Sequence, residues 1–243
     1  MSRSAAADEI ILSYDDAVLR QSDLRILSGP RFLNDRIIEF YFSYLSSSSS
    51  SFPSEDVLLV PPSIAFWISN CPDADSLREF AQPLKLPERK IVLFPVNDND
   101  DVEVAEGGSH WSLLAYHSGR NVFVHHDSLG GMNKRPARRL YWVLAKLMGK
   151  DADAAAVEYK EHADSPLQQN GYDCGLFVIA TARAICSWYD EYLKRTGLNG
   201  DAAAVDEELW FSAVKEQVTK ESAGKLRGEI RDLITSLMEK RKS

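Results

Sequence analysis

The sequence predicts an α+β fold, with a small, mixed, mostly antiparallel sheet surrounded by helices. Three observations predict it. Apolar residues recur at helical spacing in several stretches. Short β-branched and aromatic runs, bounded by turn residues, gather in the middle of the chain. Helical patterns then dominate toward the C-terminus. The 243 residues fit one domain. No repeat at solenoid periods is present. Residues 1–9 read as a frayed tail and 10–243 as the domain.

Ile10 to Tyr14 reads as a short strand. Asn34 is a good N-cap for a helix carrying Ile37, Ile38, Phe40, Tyr41, Tyr44 and Leu45, which should stop in the serine run Ser46 to Ser51. Val57 to Val60 is a strand, and Pro61-Pro62 opens a helix through Trp67. Asp75 to Phe80 is helical. Lys90 to Val96 is a buried strand, followed by an Asp-, Asn- and Gly-rich mobile loop from Asn97 to Ser109. His110 to Tyr116 and Asn121 to Asp127 form a hairpin about Ser118-Gly119. Arg138 to Met148 is a helix with Gly149 as its C-cap. Val157 to Lys160 is an edge strand, and Asp164 to Gly171 a polar loop. A long helix starts near Cys174 and runs past Tyr192. Helices near Asp206 to Thr219 and Lys225 to Lys240 complete the pattern.

Composition excludes several classes. Hydrophobic residues are 44% of the chain, enough for a sizeable core, and the formal net charge is -8. An acidic balance argues against nucleic-acid binding, because phosphates need a basic footprint. The first nine residues lack the apolar stretch of a signal peptide, and no apolar run approaches the ~20 residues of a membrane helix. The three cysteines, Cys71, Cys174 and Cys186, are too few and too scattered for a disulfide framework or a zinc ribbon. They fit a reduced, intracellular compartment. The cytoplasm is expected, with nuclear entry left open.

Two segments carry chemistry. In the hairpin, a two-residue Ser118-Gly119 loop, or a four-residue one from His117 to Arg120, places His110 opposite Asp127 on one face of the sheet. Opposed Cβ atoms lie roughly 4.5–5.5 Å apart, so the carboxylate can orient the ring. Farther along, a polar loop from Gln168 to Asp173 runs into an apolar helix at Cys174. A thiol at a helix N-terminus beside an imidazole ionises readily and becomes a nucleophile. The Cys174 N–H and a side-chain amide from Gln168 or Gln169 supply oxyanion donors. Cys71 and Cys186 are expected to be packing residues. His125 and His126 alternate across a strand and are not expected to share a metal. His117 and His162 are expected on surface loops. Arg135, Arg138 and Arg139 are expected on a solvated helix face.

Gly108-Ser109-His110-Trp111-Ser112-Leu113-Leu114, Asp127-Ser128 and Gln168 through Gly175 occur in the order found in the Ulp/sentrin-specific cysteine proteases. The chain resembles that family over about residues 10 to 240. The resemblance implies a papain-like Ulp fold without cofactor or metal. It implies Cys174 as nucleophile, His110 as general base, Asp127 as its orienter and Gln168, in preference to Gln169, as oxyanion donor. Trp111 would roof a narrow tunnel suited to a diglycine, which has no Cβ to clash. Pro95 to Asn99, Gly107-Gly108 and Gln168 to Cys174 resemble the deneddylase branch. That branch implies Nedd/Rub and its cullin-type conjugates as partners of a monomer, with Phe32 and Asp35 touching the modifier. Phe32 stands where that branch has an indole, and the serine run and long Asp98 to Glu106 loop also depart from it. A SUMO protease is the nearest alternative. An acetyltransferase, or a modifier-binding module without turnover, stand farther off.

Overall fold

The computed structural model describes residues 8–48, 55–71, 73–104, 107–148, 157–196 and 209–241. A two-stranded hairpin, β1 (Ile10–Tyr14) and β2 (Ala17–Arg20), leads into a short helix, α1 (Gln21–Leu27). The sequence patterns missed β2 and α1, which are four and seven residues long. Helix α1 also starts without a Ser, Thr, Asn or Asp at its N-cap. Asp23 closes its first turn instead, accepting from the Arg20 backbone N–H at 2.7 Å. Residues 1–7 of the expected tail lie outside the described residues. Asp8 and Glu9 are held rather than frayed: Asp8 bonds Ser22, and the Glu9 carbonyl accepts from Gln21 N.

Helix α2 (Asp35–Ser48) starts where expected. Asn34 Oδ1 accepts from Ile37 N at 3.2 Å, a cap typically worth ~1 kcal/mol. Ser49 to Ser51 lie outside the described residues. The central sheet has the order β3-β4-β5-β6-β7, with β3 at Val57–Leu59, β4 at Ile91–Asn97, β5 at Trp111–His117, β6 at Val122–His126 and β7 at Glu158–Glu161. The two inner pairings are antiparallel and the two outer ones parallel. Each parallel pairing spans a helical crossover, since parallel strands cannot be joined by a tight turn. Helices α3 (Pro62–Asn70) and α4 (Ala74–Ala81) and two short 3-10 turns lie between β3 and β4; α5 (Lys134–Met148) lies between β6 and β7. Gly149 lies outside the described residues.

Alternation along the strands divides the core in two. Leu93, Leu113, Ala115, Val122 and Val124 face α2, α6 (Cys174–Thr196), α7 (Phe211–Gln217) and α8 (Lys220–Lys240). Val92, Phe94, Leu114, Tyr116 and Phe123 face α3, α4 and α5. Helix α6 is apolar on most sides because the sheet, α2, α7 and α8 all pack on it.

Two expectations need correction. His117 is buried at the end of β5 against Trp188 and Trp210, accepting from Arg120 N at 3.2 Å. His162 stacks on Phe211 with ring centroids 4.4 Å apart. Both rings pack on aromatic side chains from distant helices.

Candidate active site

Residues paired between β5 and β6 run from Leu113↔His126 to His117↔Val122. The hairpin loop is therefore Ser118 to Asn121, one residue later than the expected His117 to Arg120, which slips the strand pairing by two. A slip of two keeps every side chain on its face, whereas a slip of one would invert them all. His110 and Asp127, each just outside its strand, become diagonal rather than direct neighbours. The contact survives: His110 Nε2 lies 2.6 Å from Asp127 Oδ1.

Asp127 is held on three sides. Besides His110, its oxygens accept from Leu129 N and Asn133 N, both at 2.8 Å. Burial raises its pKa, but these bonds and the imidazole outweigh that and lower it. Asn133, fully buried, also donates from Nδ2 to the carbonyls of Val96 and His110, each at 3.1 Å. Asp98 anchors the other side of His110, accepting from Ser109 N at 2.6 Å and His110 N at 2.9 Å. Asp98 sits in the segment read as a mobile loop. Its side chain closes that loop onto the start of β5. Gly108 permits the closure: its φ is +86°, and a Cβ there would lie 1.9 Å from Asn97 Oδ1.

Burial alone would pull the His110 pKa down. The hydrogen bond to Asp127, the charge of that carboxylate and the nearby Cys174 sulfur more than offset it, raising the value to about 9. The ring nitrogen not used by Asp127, Nδ1, is buried and has no hydrogen-bond partner among the described residues. Cys174 begins α6 and is fully buried. It shares with Trp111, Asp127 and Ser128 the lining of a cavity of about 10 Å³, room for one water at most. Gly175 follows because α6 packs hard on Leu33: a Cβ there would lie 2.8 Å from the Leu33 Cβ.

Gln168 is buried beside Ser128. Its Oε1 accepts from Ser128 Oγ and its Nε2 donates to Asn170 O, both at 2.6 Å. Trp111 is 7% exposed, its indole N–H donating to Leu33 O at 3.0 Å. That bond ties the ring to the segment holding Phe32 and Asp35. Phe32 is 50% exposed, whereas Asp35, with Asn34, Phe66, Trp67, Val104 and Trp111, lines a cleft of about 320 Å³. Trp111 thus stands between the open cleft and the buried sulfur. The sequence-predicted His110, Asp127 and Cys174 come together, Gln168 joins them through Ser128, and Asp35 lines the neighbouring cleft next to the exposed Phe32. Sequence reasoning missed Asp98, Ser128 and Asn133 as supports; Ser128 and Asp98 were flagged only as parts of the motifs Asp127-Ser128 and Pro95 to Asn99.

Cys186 is buried in α6, and burial pushes its thiol up to about 12. Cys71 is half-buried at the end of α3. His125 and His126 point to opposite faces, as expected. His125 bonds Ser112 and Glu161, and His126 bonds Trp210 and His162.

Comparison with known proteins agrees with this geometry. Among solved structures, a de-sumoylating protease superposes with a TM-score of 0.64 at 17% identity, over 97% of this chain and 93% of that one. The C-terminal Ulp1 protease domain, solved in complex with Smt3, the yeast ortholog of SUMO, gives 0.60 at 20% identity, over 96% and 90%. These likenesses establish the papain-like α+β fold of Ulp domains. By sequence, the chain is 51% identical to NEDD8-specific protease 1 of Arabidopsis thaliana over 95% of each chain. It is 36% identical to human sentrin-specific protease 8, over 96% of this chain and 100% of that one. Residues 31–188 match the Ulp1 protease family, C-terminal catalytic domain, and the chain belongs to that family of cysteine proteases.

Proposed function

We propose that the chain is a deneddylase, hydrolysing the bond after the C-terminal Gly-Gly of the ubiquitin-like modifier Nedd8/Rub in precursors and conjugates. One observation carries the reading. His110, just before β5 and fixed by Asp127 at 2.6 Å, interacts with the Cys174 sulfur at the start of α6, in a chain half identical to a NEDD8-specific protease.

With its pKa raised to about 9, His110 holds its proton at neutral pH. The imidazolium favours the thiolate of Cys174 as nucleophile. The sulfur attacks the carbonyl of the terminal glycine, and His110 gives its proton to the leaving amine. The carbonyl oxygen, now an oxyanion, receives the Cys174 N–H and the second N–H of the Gln168 amide, whose first is committed to Asn170. His110 then takes a proton from the water that releases the acyl-enzyme. The modifier tail lies along the cleft bearing Asp35 and passes under Trp111. So little room surrounds the sulfur that a side chain at either of the last two positions would not pass.

The test compares C-terminal fluorogenic substrates made from Nedd8, SUMO and ubiquitin. Nedd8 is expected to give the highest kcat/KM. Faster cleavage of SUMO contradicts the branch, and failure of a Nedd8 vinyl sulfone to label Cys174 contradicts turnover altogether.

A further inference from the structure

Arg227 lies in α8, 39 residues beyond the stretch that matches the family, and no sequence motif marks it. Its guanidinium makes three kinds of contact at once. Nη1 donates to the Ile26 carbonyl at 3.1 Å, next to the end of α1. Nη2 donates to the Arg31 carbonyl at 2.9 Å and to Asp173 Oδ1 at 2.8 Å. The same group lies over the Tyr172 ring, 5.8 Å from its centroid. Arg227 and Asp173 are 13% and 15% exposed, so solvent screens the pair little.

Both ends of this bridge lead to the site. Asp173 immediately precedes Cys174, and its carbonyl accepts the first hydrogen bonds of α6, from Leu176 and Phe177. Its other carboxylate oxygen accepts from Asn170 Nδ2 at 2.7 Å. Asn170 Oδ1 accepts from the N–H groups of Tyr172 and Asp173, and its carbonyl accepts from Gln168. One chain of hydrogen bonds therefore runs from Arg227 through Asp173 and Asn170 to the oxyanion donor. At the other end, Arg31 precedes Phe32 and Leu33, and Leu33 holds the Trp111 indole.

We propose that Arg227 is a positioning residue, clasping the nucleophile loop to the modifier-reading segment 31–35. The half concerning segment 31–35 rests on the function proposed above. The half concerning Cys174 does not. Only a planar fork spans these acceptors. A lysine there keeps a point charge for Asp173 but cannot also hold the two carbonyls in one plane.

The experiment compares Arg227→Met, Arg227→Lys and Phe32→Ala with the parent chain. Three readouts are taken: alkylation of Cys174 by iodoacetamide, Nedd8 affinity in a Cys174→Ala background, and kcat and KM on the Nedd8 fluorogenic substrate. Displacing reacting groups by an ångström costs up to roughly 100-fold, so Arg227→Met is expected to lose roughly 10- to 100-fold in kcat. It should also slow alkylation and raise Kd. Arg227→Lys is expected to restore alkylation but leave Kd and KM raised, a split that general loosening of the fold would not give. Parent-like kcat, alkylation and Kd in Arg227→Met would overturn the proposal. So would an Arg227→Lys variant that moves all three readouts as far as Arg227→Met does. If Phe32→Ala binds Nedd8 as the parent does, the reading of segment 31–35 fails, while an alkylation defect in Arg227→Met still upholds the nucleophile half.

Discussion

His110 and His126 stand at the same end of the central sheet, both buried, and their partners set one charged and the other neutral. His110 meets a carboxylate and a sulfur, and its pKa rises to about 9. His126, at the end of β6, accepts from the indole N–H of Trp210 at 2.9 Å. An indole can only donate, so this nitrogen of His126 carries no proton. The proton sits on Nδ1 and points at His162 Nδ1, 3.0 Å away. Burial first, then the neighbouring rings of His162 and His125, hold the His126 pKa well below its ordinary value. His162 shifts the same way, chiefly through burial. Burial acts alike on both centres. The partner decides, and a carboxylate makes an acid–base centre where an indole makes a neutral structural pin.

Exchanging the decisive partners breaks the comparison most sharply. Asp127→Asn keeps the shape beside His110 and removes the charge. Its kcat is expected to fall by roughly 10²- to 10⁴-fold, the scale seen when a triad carboxylate loses its charge. His126→Phe is expected to keep kcat/KM within about tenfold of the parent, because its ring touches none of the reacting atoms. It leaves the Trp210 N–H buried without an acceptor, at a cost of ~1–3 kcal/mol, so Tm should drop by roughly 2–10 °C. Steady-state kinetics and thermal melts on the two variants check both outcomes. Comparable kinetic losses would erase the distinction.

A smaller effect lies in the pH dependence of stability. His110 has a folded pKa above the ordinary 6.5, so its contribution is full below about pH 6.5 and is lost as pH rises through about 9. His126 and His162 are depressed in the fold. Their contribution is full above about pH 6.5 and is lost as pH falls below it, where the unfolded chain takes the protons. Stability should therefore decline on both sides of the neutral region. His126→Phe should flatten the acid decline below about pH 6.5 and leave the alkaline one unchanged. Melts across that range check it, and an unaltered acid decline contradicts the neutral pin.

The meeting of Cys174, His110 and Asp127 was legible in the sequence because its geometry is local. Cys174 opens a helix after a polar loop, and that needs only the residues around it. His110 and Asp127 were legible through strand parity, and parity survived a hairpin loop placed one residue too early, because that slips the pairing by two. Support for the site was not legible. Asp98 read as part of a mobile loop because its donors, the backbone N–H groups of Ser109 and His110, come close only when the loop folds back. Asn133 and Arg227 act on backbone groups 23 and more residues away in the chain. His117 and His162 read as surface residues because Trp188, Trp210 and Phe211, which cover them, arrive from α6 and α7. Periodicity reports which residues face inward, but not which distant side chain meets them.

The protonation of the two rings can be observed directly through their imidazole nitrogen chemical shifts in a 15N-labelled sample. At pH 7, His110 is predicted to carry protons on both nitrogens and to titrate near 9, while His126 shows one bare Nε2 and titrates well below the ordinary imidazole range. A His110 ring that is neutral at pH 7, or a His126 ring that is charged, would contradict the account of the site.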